Sequence, residues 1–131
     1  MSTGNRVSGA FEVEFEPLSA DDDVISRMRV TKTFTGGLTG VGSAQMLAVG
    51  TAIEGSAAYV AIERVDGVLD DRRGTFVLQH SGLMRRGEGS LVVTVVPDSG
   101  TDELLGLRGE FTIENLGAVH TYVFEYVLDP S

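Results

Sequence analysis

Apolar and polar residues alternate along most of the chain, in short runs that end at turn residues. In residues 10–16, for example, Phe11, Val13 and Phe15 alternate with glutamates. This period of two residues is typical of a β-strand with one buried face. Because no apolar period of 3.6 residues lasts for three turns, the pattern predicts an all-β protein.

Eight strands are predicted, separated by short turns that contain Gly, Asp or Asn. The predicted strands are residues 10–16, 25–35, 38–50, 56–65, 74–83, 90–96, 105–114 and 119–128. Asp66-Gly67 is expected to bulge or bend the end of the fourth strand. Asn115-Leu116-Gly117 is expected to form the last turn. Short turns between sequential strands predict an antiparallel meander, and closure into an eight-stranded barrel would leave no unpaired edge. A β-sandwich is the main alternative.

Length and composition indicate one globular domain over residues 1–131, with residues 1–9 expected to be a flexible terminus. The chain is 42% hydrophobic and 22% charged, and its net charge of −9 disfavours binding to nucleic acid or to an anionic membrane. We see no apolar run of about 18 residues and no secretory signal, so we expect a cytoplasmic protein. With no Cys and only two His, neither a metal site nor another cofactor is expected.

Four sequence blocks resemble the DUF3224 family of small bacterial proteins. They are GSAAYVAIERV at 55–65, GTFVLQHSG at 74–82, VVPDSGTDELLGLRG at 95–109 and HTYVFEY at 120–126. The family is similar in fold to the allene oxide cyclase barrels, and the spacing of Gly100, Thr101, Leu104, Gly106 and Gly109 also resembles a late-strand motif of those barrels. The resemblance implies a barrel but no reaction, because the function of DUF3224 proteins is unknown.

The resemblance departs from the family pattern at one turn. Where the family has Asp-Gly-Arg, this chain has Asp70-Asp71-Arg72. A backbone with positive φ is therefore less certain at Asp71 than it would be at a glycine.

Two polar residues are candidates for acid–base catalysis. His80 shares its strand face with Phe76 and Leu78, so we expect it to point into the barrel. Glu63 shares a face with Tyr59 and Ala61, but the face is ambiguous, because the opposite one, which carries Val and Ile, looks more core-like by itself. If Glu63 points inward, its pKa would be raised by desolvation, and it could lie across from His80. The alternatives are a structural buried histidine and a surface glutamate.

Further residues are candidates for ligand binding. Tyr59, Phe76 and Leu78 would line a cavity if their faces point inward. On the last strand, His120, Tyr122, Phe124 and Tyr126 share one face, which would form either core, a dimer surface or an aromatic wall for a ligand. Lys32, the only lysine, would either anchor a ligand from inside or extend to solvent from a strand end.

These observations leave three functions open. The barrel would bind a small, largely apolar metabolite, or it would act as a cofactor-independent isomerase or cyclase through Glu63 and His80. Otherwise the barrel is filled with side chains and the protein is structural. We also expect a homodimer, because a barrel without covering helices leaves its outer β surface exposed.

Overall fold

The alternation of apolar and polar residues builds a closed barrel. The computed structural model describes residues 4–116 and 119–129, in which eight antiparallel strands pair in sequence order and β1 closes on β8. The strands are β1 (Asn5–Leu18), β2 (Ile25–Gly36), β3 (Leu38–Gly50), β4 (Ala57–Leu69), β5 (Arg72–Arg85), β6 (Glu88–Val95), β7 (Leu107–Leu116) and β8 (Val119–Leu128). The predicted barrel is confirmed, and the alternative of a sandwich is wrong.

A single short helix accompanies the strands in the described part of the chain. It is a 3-10 turn, Asp102–Leu104, immediately before β7. No helix among the described residues is both long and apolar enough to cross a membrane.

Strand bounds match the prediction for β3 and β8 and differ elsewhere. β1 begins at Asn5 and pairs with β8 from there, so it includes part of the segment expected to be flexible. β4 continues through Asp66 and Gly67 to Leu69, because Gly67 pairs with both Gly40 and Gly74 in unbroken register. A Cβ at Gly67 would lie 2.2 Å from the Thr39 carbonyl oxygen, so glycine allows the two backbones to approach.

The turn between β4 and β5 keeps a left-handed backbone without glycine. Asp70 and Asp71 have φ values of 48° and 66°. Aspartate tolerates this region better than most residues, and the Tyr126 hydroxyl donates a hydrogen bond to the Asp70 carboxylate. Burial and this hydrogen bond raise the pKa of Tyr126 to about 12. The predicted turn at Asn115-Leu116-Gly117 includes Gly117, which lies outside the described residues.

One half of the barrel interior is packed with side chains. Phe76 stacks on Phe124 with ring centroids 6.0 Å apart, and Phe124 stacks on Phe111 at 4.1 Å. Stacked and tilted rings of this kind stabilise a core beyond the area they bury. The buried members of this packed half are Phe11, Phe34, Leu38, Val65, Leu69, Phe76, Leu78, Val93, Val95, Leu104, Leu107, Phe111, Tyr122, Phe124 and Tyr126.

The Tyr122 hydroxyl closes the base of this core. It donates toward the carbonyl oxygens of Thr35 and Leu38, at 2.8 and 3.0 Å, and accepts a hydrogen bond from the Leu38 amide at 3.0 Å. These bonds satisfy backbone groups at the turn between β2 and β3. Burial raises the pKa of the Tyr122 hydroxyl, against a smaller opposite effect of its hydrogen bond with Leu38. The side chain is therefore a structural link between β8 and that turn.

The outer surface carries an apolar stripe across β3 to β6. Its exposed residues are Leu47, Val60, Ile62, Leu83 and Val92. Leu47 pairs with Val60, so the apolar residues of β3 and β4 are adjacent, whereas Ser81 of β5 lies between Val60 and Val92. The homodimer stays a prediction, and this stripe is the surface on which it would form.

We predict that Tyr122→Phe destabilises the protein by about 1–3 kcal/mol, because it leaves the buried Leu38 amide without a partner. Chemical denaturation measures the change. The matched control is Tyr59→Phe, since no hydrogen bond to the Tyr59 hydroxyl exists among the described residues. We expect the control to change stability by less than about 0.5 kcal/mol. Equal effects of the two substitutions would contradict the structural role of Tyr122.

Candidate functional site

The other half of the barrel contains a cavity of about 310 Å³, called here the pocket. All eight strands contribute to its wall, which is mostly apolar. The lining residues are Phe11, Val13, Phe15, Val30, Lys32, Ala44, Met46, Tyr59, Ala61, His80, Leu91, Ile113 and His120. Phe15 is 58% exposed and Leu91 is 39% exposed, so the pocket opens to solvent at this end of the barrel.

A seam between β6 and β7 lies beside the pocket. In the described residues these strands pair only at Val93–Phe111 and Thr94–Glu110. Leu91 and Ile113 lie beyond the last of these pairs, toward the open end, and both line the pocket. The wall is therefore less tightly closed here than between the other strands.

The face of β4 that was ambiguous in the sequence is settled by burial. Glu63 has no exposed surface, whereas Val60 and Ile62 on the opposite face lie in the outer stripe. Glu63 pairs with Leu78 across β4 and β5, and His80 pairs with Ala61. The two side chains are thus diagonal neighbours on the inner face rather than directly opposite, which is close enough for contact.

Glu63 forms the centre of a buried ionic cluster. Its Oε1 atom is 2.7 Å from His80 Nε2 and 3.1 Å from Lys32 Nζ. The side chains of His80 and Lys32 are 5% and 10% exposed. Three strands therefore bring a carboxylate, an imidazole and an ammonium together at the floor of the pocket.

The environment of Glu63 favours its charged form. Burial by itself raises the pKa of this carboxyl, but the hydrogen bond with His80 and the positive charge of Lys32 outweigh burial. The pKa of Glu63 is therefore lowered, and the expectation of a raised pKa is wrong. The expectation considered desolvation alone and did not include Lys32 as a partner.

Gly42 provides the space that the carboxylate occupies. A Cβ at this position would lie 2.1 Å from Glu63 Oε2, so any side chain here would displace the carboxylate. Oε2 is buried and has no hydrogen-bond partner in the described part of the chain. It points toward the β3 backbone, and Glu63 does not line the pocket. Glu63 therefore acts on the pocket through Lys32 and His80.

Lys32 is an inward residue in the middle of β2. Its Nζ lies 5.0 Å from the centroid of the Phe11 ring, in addition to its contact with Glu63. The cation is held by a carboxylate on one side and an aromatic face on the other. The alternative in which Lys32 extends to solvent from a strand end is therefore wrong.

His80 has a second ring nitrogen that its contact with Glu63 does not use. An ionised carboxylate only accepts hydrogen bonds, so Nε2 of His80 carries the hydrogen of the bond to Glu63. In the neutral imidazole, Nδ1 then has the lone pair. Among the described residues no hydrogen bond to Nδ1 is present, and His80 lines the pocket. This nitrogen is a basic group that an occupant would meet.

Two further polar residues predicted from the sequence lie on the pocket wall. The Tyr59 ring covers Gly82, its partner on β5, and burial together with the charge of Glu63 raises the pKa of its hydroxyl. His120 stacks on Phe11 with ring centroids 5.2 Å apart. Tyr59 thus lies on the face of β4 that the sequence left ambiguous, and His120 has the pocket-wall position that was one of three alternatives for its face.

Three predicted ligand-binding residues lie elsewhere. Phe76, Leu78 and Tyr122 are inward, but they belong to the packed half and do not line the pocket. Their side chains point into the barrel as predicted. They lie at a different level along the barrel axis, however, and therefore do not reach the pocket. The described residues also contain no group of three or more His, Cys, Asp or Glu that could hold a metal ion.

Sequence reasoning missed part of the site. Ala44 and Met46 line the pocket, and Gly42 makes room for the carboxylate. All three are inward positions of β3, where small residues alternate with larger ones on the opposite face. This run of small inward residues was the available signal for an unfilled interior.

Comparison with known proteins places the chain among proteins without an assigned function. A family model described as "Protein of unknown function (DUF3224)" matches residues 7–126. The chain is also similar to the crystal structure of a protein with unknown function from the DUF3224 family of Shewanella oneidensis MR-1. Sequence identity is 40% and the TM-score is 0.95, over 98% of this chain and 100% of the other. No curated protein matches the chain.

We predict that Glu63→Gln destabilises the protein by about 3–5 kcal/mol near pH 7, because Lys32 stays buried and loses its counter-charge. The matched control is Glu12→Gln on the exposed face of β1, which we expect to change stability by less than about 0.5 kcal/mol. Urea denaturation of both variants measures the difference.

The stability difference between wild type and Glu63→Gln depends on pH, and the pKa of Glu63 sets the sign of that dependence. Because the pKa of Glu63 is lowered in the folded state, its contribution is complete above the unfolded value of about 4.3 and is lost as pH falls below it. The stability gap between wild type and Glu63→Gln should narrow from pH 5 to pH 3. A gap that widens over this interval would show that Glu63 is not an ionised partner of Lys32.

Proposed function

Since the chain belongs to the DUF3224 family of proteins of unknown function, we propose a function from its pocket: the protein binds a small, largely apolar molecule inside the barrel. The observation that carries this proposal is the open, mostly apolar cavity above a polar floor. Ligand sites commonly combine an apolar wall with a few polar groups that fix orientation.

The size of the pocket supports an occupant rather than a residual packing defect. Its volume of about 310 Å³ equals that of about ten water molecules in the liquid. Protein interiors pack with few voids larger than one water molecule, and ligand pockets begin near about 300 Å³. The same barrel is fully packed in its other half, so the sequence leaves this half unfilled.

The chemistry of the wall sets the kind of molecule. Of the thirteen lining residues, only Lys32, Tyr59, His80 and His120 carry polar side chains. Water in contact with the remaining apolar wall is readily displaced by an apolar group. The occupant therefore has an apolar body, with its polar atoms toward Lys32 and His80.

The test begins with native mass spectrometry of the protein purified from its own host. A stoichiometric adduct that leaves on denaturation would supply the natural occupant. In parallel, a neutral probe, 4-phenylbutanamide, is titrated into ¹⁵N-labelled protein. We expect amide shifts of pocket residues on β2, β3 and β5, and loss of those shifts in Ala44→Phe, which fills the pocket.

The matched control for this variant is Ser43→Phe. Ser43 is the adjacent, exposed residue of β3, so it receives the same side chain outside the barrel. Thermal unfolding verifies that both variants fold, since overpacking costs about 1–3 kcal/mol. No adduct together with no pocket shifts in the wild type would overturn the proposed function and favour a structural protein.

One observation favours a second candidate, a cofactor-independent isomerase or cyclase. The bond from His80 Nε2 to Glu63 Oε1, at 2.7 Å, favours the tautomer in which Nδ1 carries the lone pair, on a residue that lines the pocket. In such a reaction Nδ1 would take a proton from a carbon atom of the substrate and return it to another. Glu63 would stay ionised and orient the imidazole, so it would be a positioning residue. The resemblance to allene oxide cyclase barrels is consistent with this chemistry and stays a prediction.

This candidate predicts catalysed hydrogen exchange. With 4-phenyl-2-butanone in D₂O, exchange of the hydrogens next to the carbonyl, followed by ¹H NMR, should be faster with wild type than with His80→Gln by about 10²–10⁴-fold. Gln79→Ala, on the exposed face of the same strand, is the control and should retain the wild-type rate. Identical rates for wild type and His80→Gln would exclude His80 as the base.

A further inference from the structure

We propose that the occupant of the pocket is a small apolar carboxylic acid, and that it binds together with one proton held on His80. This inference rests on the proposed function and names the chemical class of the ligand. Its basis is the arrangement of donors, acceptors and charges at the pocket floor.

The floor offers hydrogen-bonding groups that match a carboxylic acid. Lys32 Nζ has three hydrogens and uses one on Glu63 Oε1, while His80 uses Nε2 on the same oxygen. Lys32 and His80 both line the pocket, so the remaining ammonium hydrogens and His80 Nδ1 are the groups left to pair with an occupant. A carboxylic acid presents one oxygen that accepts from Lys32 and one hydroxyl that donates to Nδ1.

The charge of the cluster requires the proton. Lys32 and Glu63 already neutralise each other, so a bare carboxylate would add an unbalanced negative charge in a desolvated site. Transfer of the acid proton to Nδ1 gives an imidazolium beside a carboxylate, and the total charge stays zero. These charge-assisted hydrogen bonds are stronger than those of a neutral occupant. Binding the acid together with its proton also adds no net negative charge to a chain whose net charge is −9.

Few other groups around His80 can take this proton. Within the described residues, the titratable side chains that face the cluster are Lys32 on β2, Tyr59 and Glu63 on β4, and His120 on β8. The pocket residues of β1, β3, β6 and β7 are apolar or aromatic. Glu63 is held in its charged form by His80 and Lys32, and Lys32 is already a cation, so an imidazole is the group at the floor with a lone pair for the proton.

The test compares 4-phenylbutanoate with its neutral isostere, 4-phenylbutanamide, by calorimetry from pH 6 to pH 9. We expect the acid to bind at least about tenfold more tightly than the amide at pH 6. Wherever His80 is neutral in the free protein, the affinity for the acid should fall about tenfold per pH unit because one proton is taken up on binding. The affinity of the amide should not change with pH.

Variants identify the residue that takes the proton. His80→Gln should abolish the pH dependence of acid binding, and the control Gln79→Ala, on the exposed face of the same strand, should retain it. A measurement on the wild type alone gives the same answer if a variant does not fold. At pH 8, binding heats in phosphate and in Tris buffer report proton uptake, and we expect about one proton per acid.

The outcomes separate this inference from the function on which it rests. Binding of the amide with no proton uptake by the acid overturns the inference and leaves the proposed function intact. Proton uptake that persists in His80→Gln assigns the proton to another group and also overturns the inference. Failure of both probes to shift any pocket residue overturns the proposed function.

Discussion

The site depends on one oxygen atom, Oε1 of Glu63, which holds both an imidazole and an ammonium. Removing a carboxylate from water costs several kcal/mol, and two short contacts to donors compensate this cost. The arrangement fixes the directions of Lys32 and His80, because departure of Lys32 leaves a buried charge unbalanced and departure of His80 removes a hydrogen bond from a buried oxygen. It requires glycine at position 42, where the carboxylate lies against the β3 backbone. The polar cluster is thus a rigid floor between two halves of the barrel.

The two halves show how one sequence divides the interior of a closed sheet. Below the floor, aromatic rings stack and the Tyr122 hydroxyl bonds to the backbone, so that interior is specified in detail. Above it, Ala44 and Ala61 occupy positions where larger side chains would fill the space. The strands there are held by backbone ladders more than by side-chain packing, and the seam between β6 and β7 lacks even part of its ladder. Stability and pocket therefore reside in different parts of one barrel.

Much of this fold follows from the sequence, because alternation with turn residues determines the strands. The site can be predicted less completely from the sequence. Parity placed His80 inward correctly, whereas β4 was ambiguous because Val60 and Ile62 form an exposed outer stripe and resemble a core face. The alternation of residues along a strand also does not show how far along the barrel axis an inward side chain lies. The stagger between neighbouring strands decides whether an inward residue such as Phe76 reaches the core or the pocket, and register depends on pairings that one strand does not encode.

Lys32 is the only lysine of the chain, so the pocket floor holds its only side-chain amine. An acylating reagent attacks an amine through its uncharged form, and here the ammonium is paired with a carboxylate and 10% exposed. Labelling of this single side chain therefore requires that the ion pair opens and that the reagent enters the barrel. An occupant above it would shield the nitrogen from the reagent. The rate at which Lys32 is acylated therefore reports on the state of the pocket, where the inside of the barrel meets solvent.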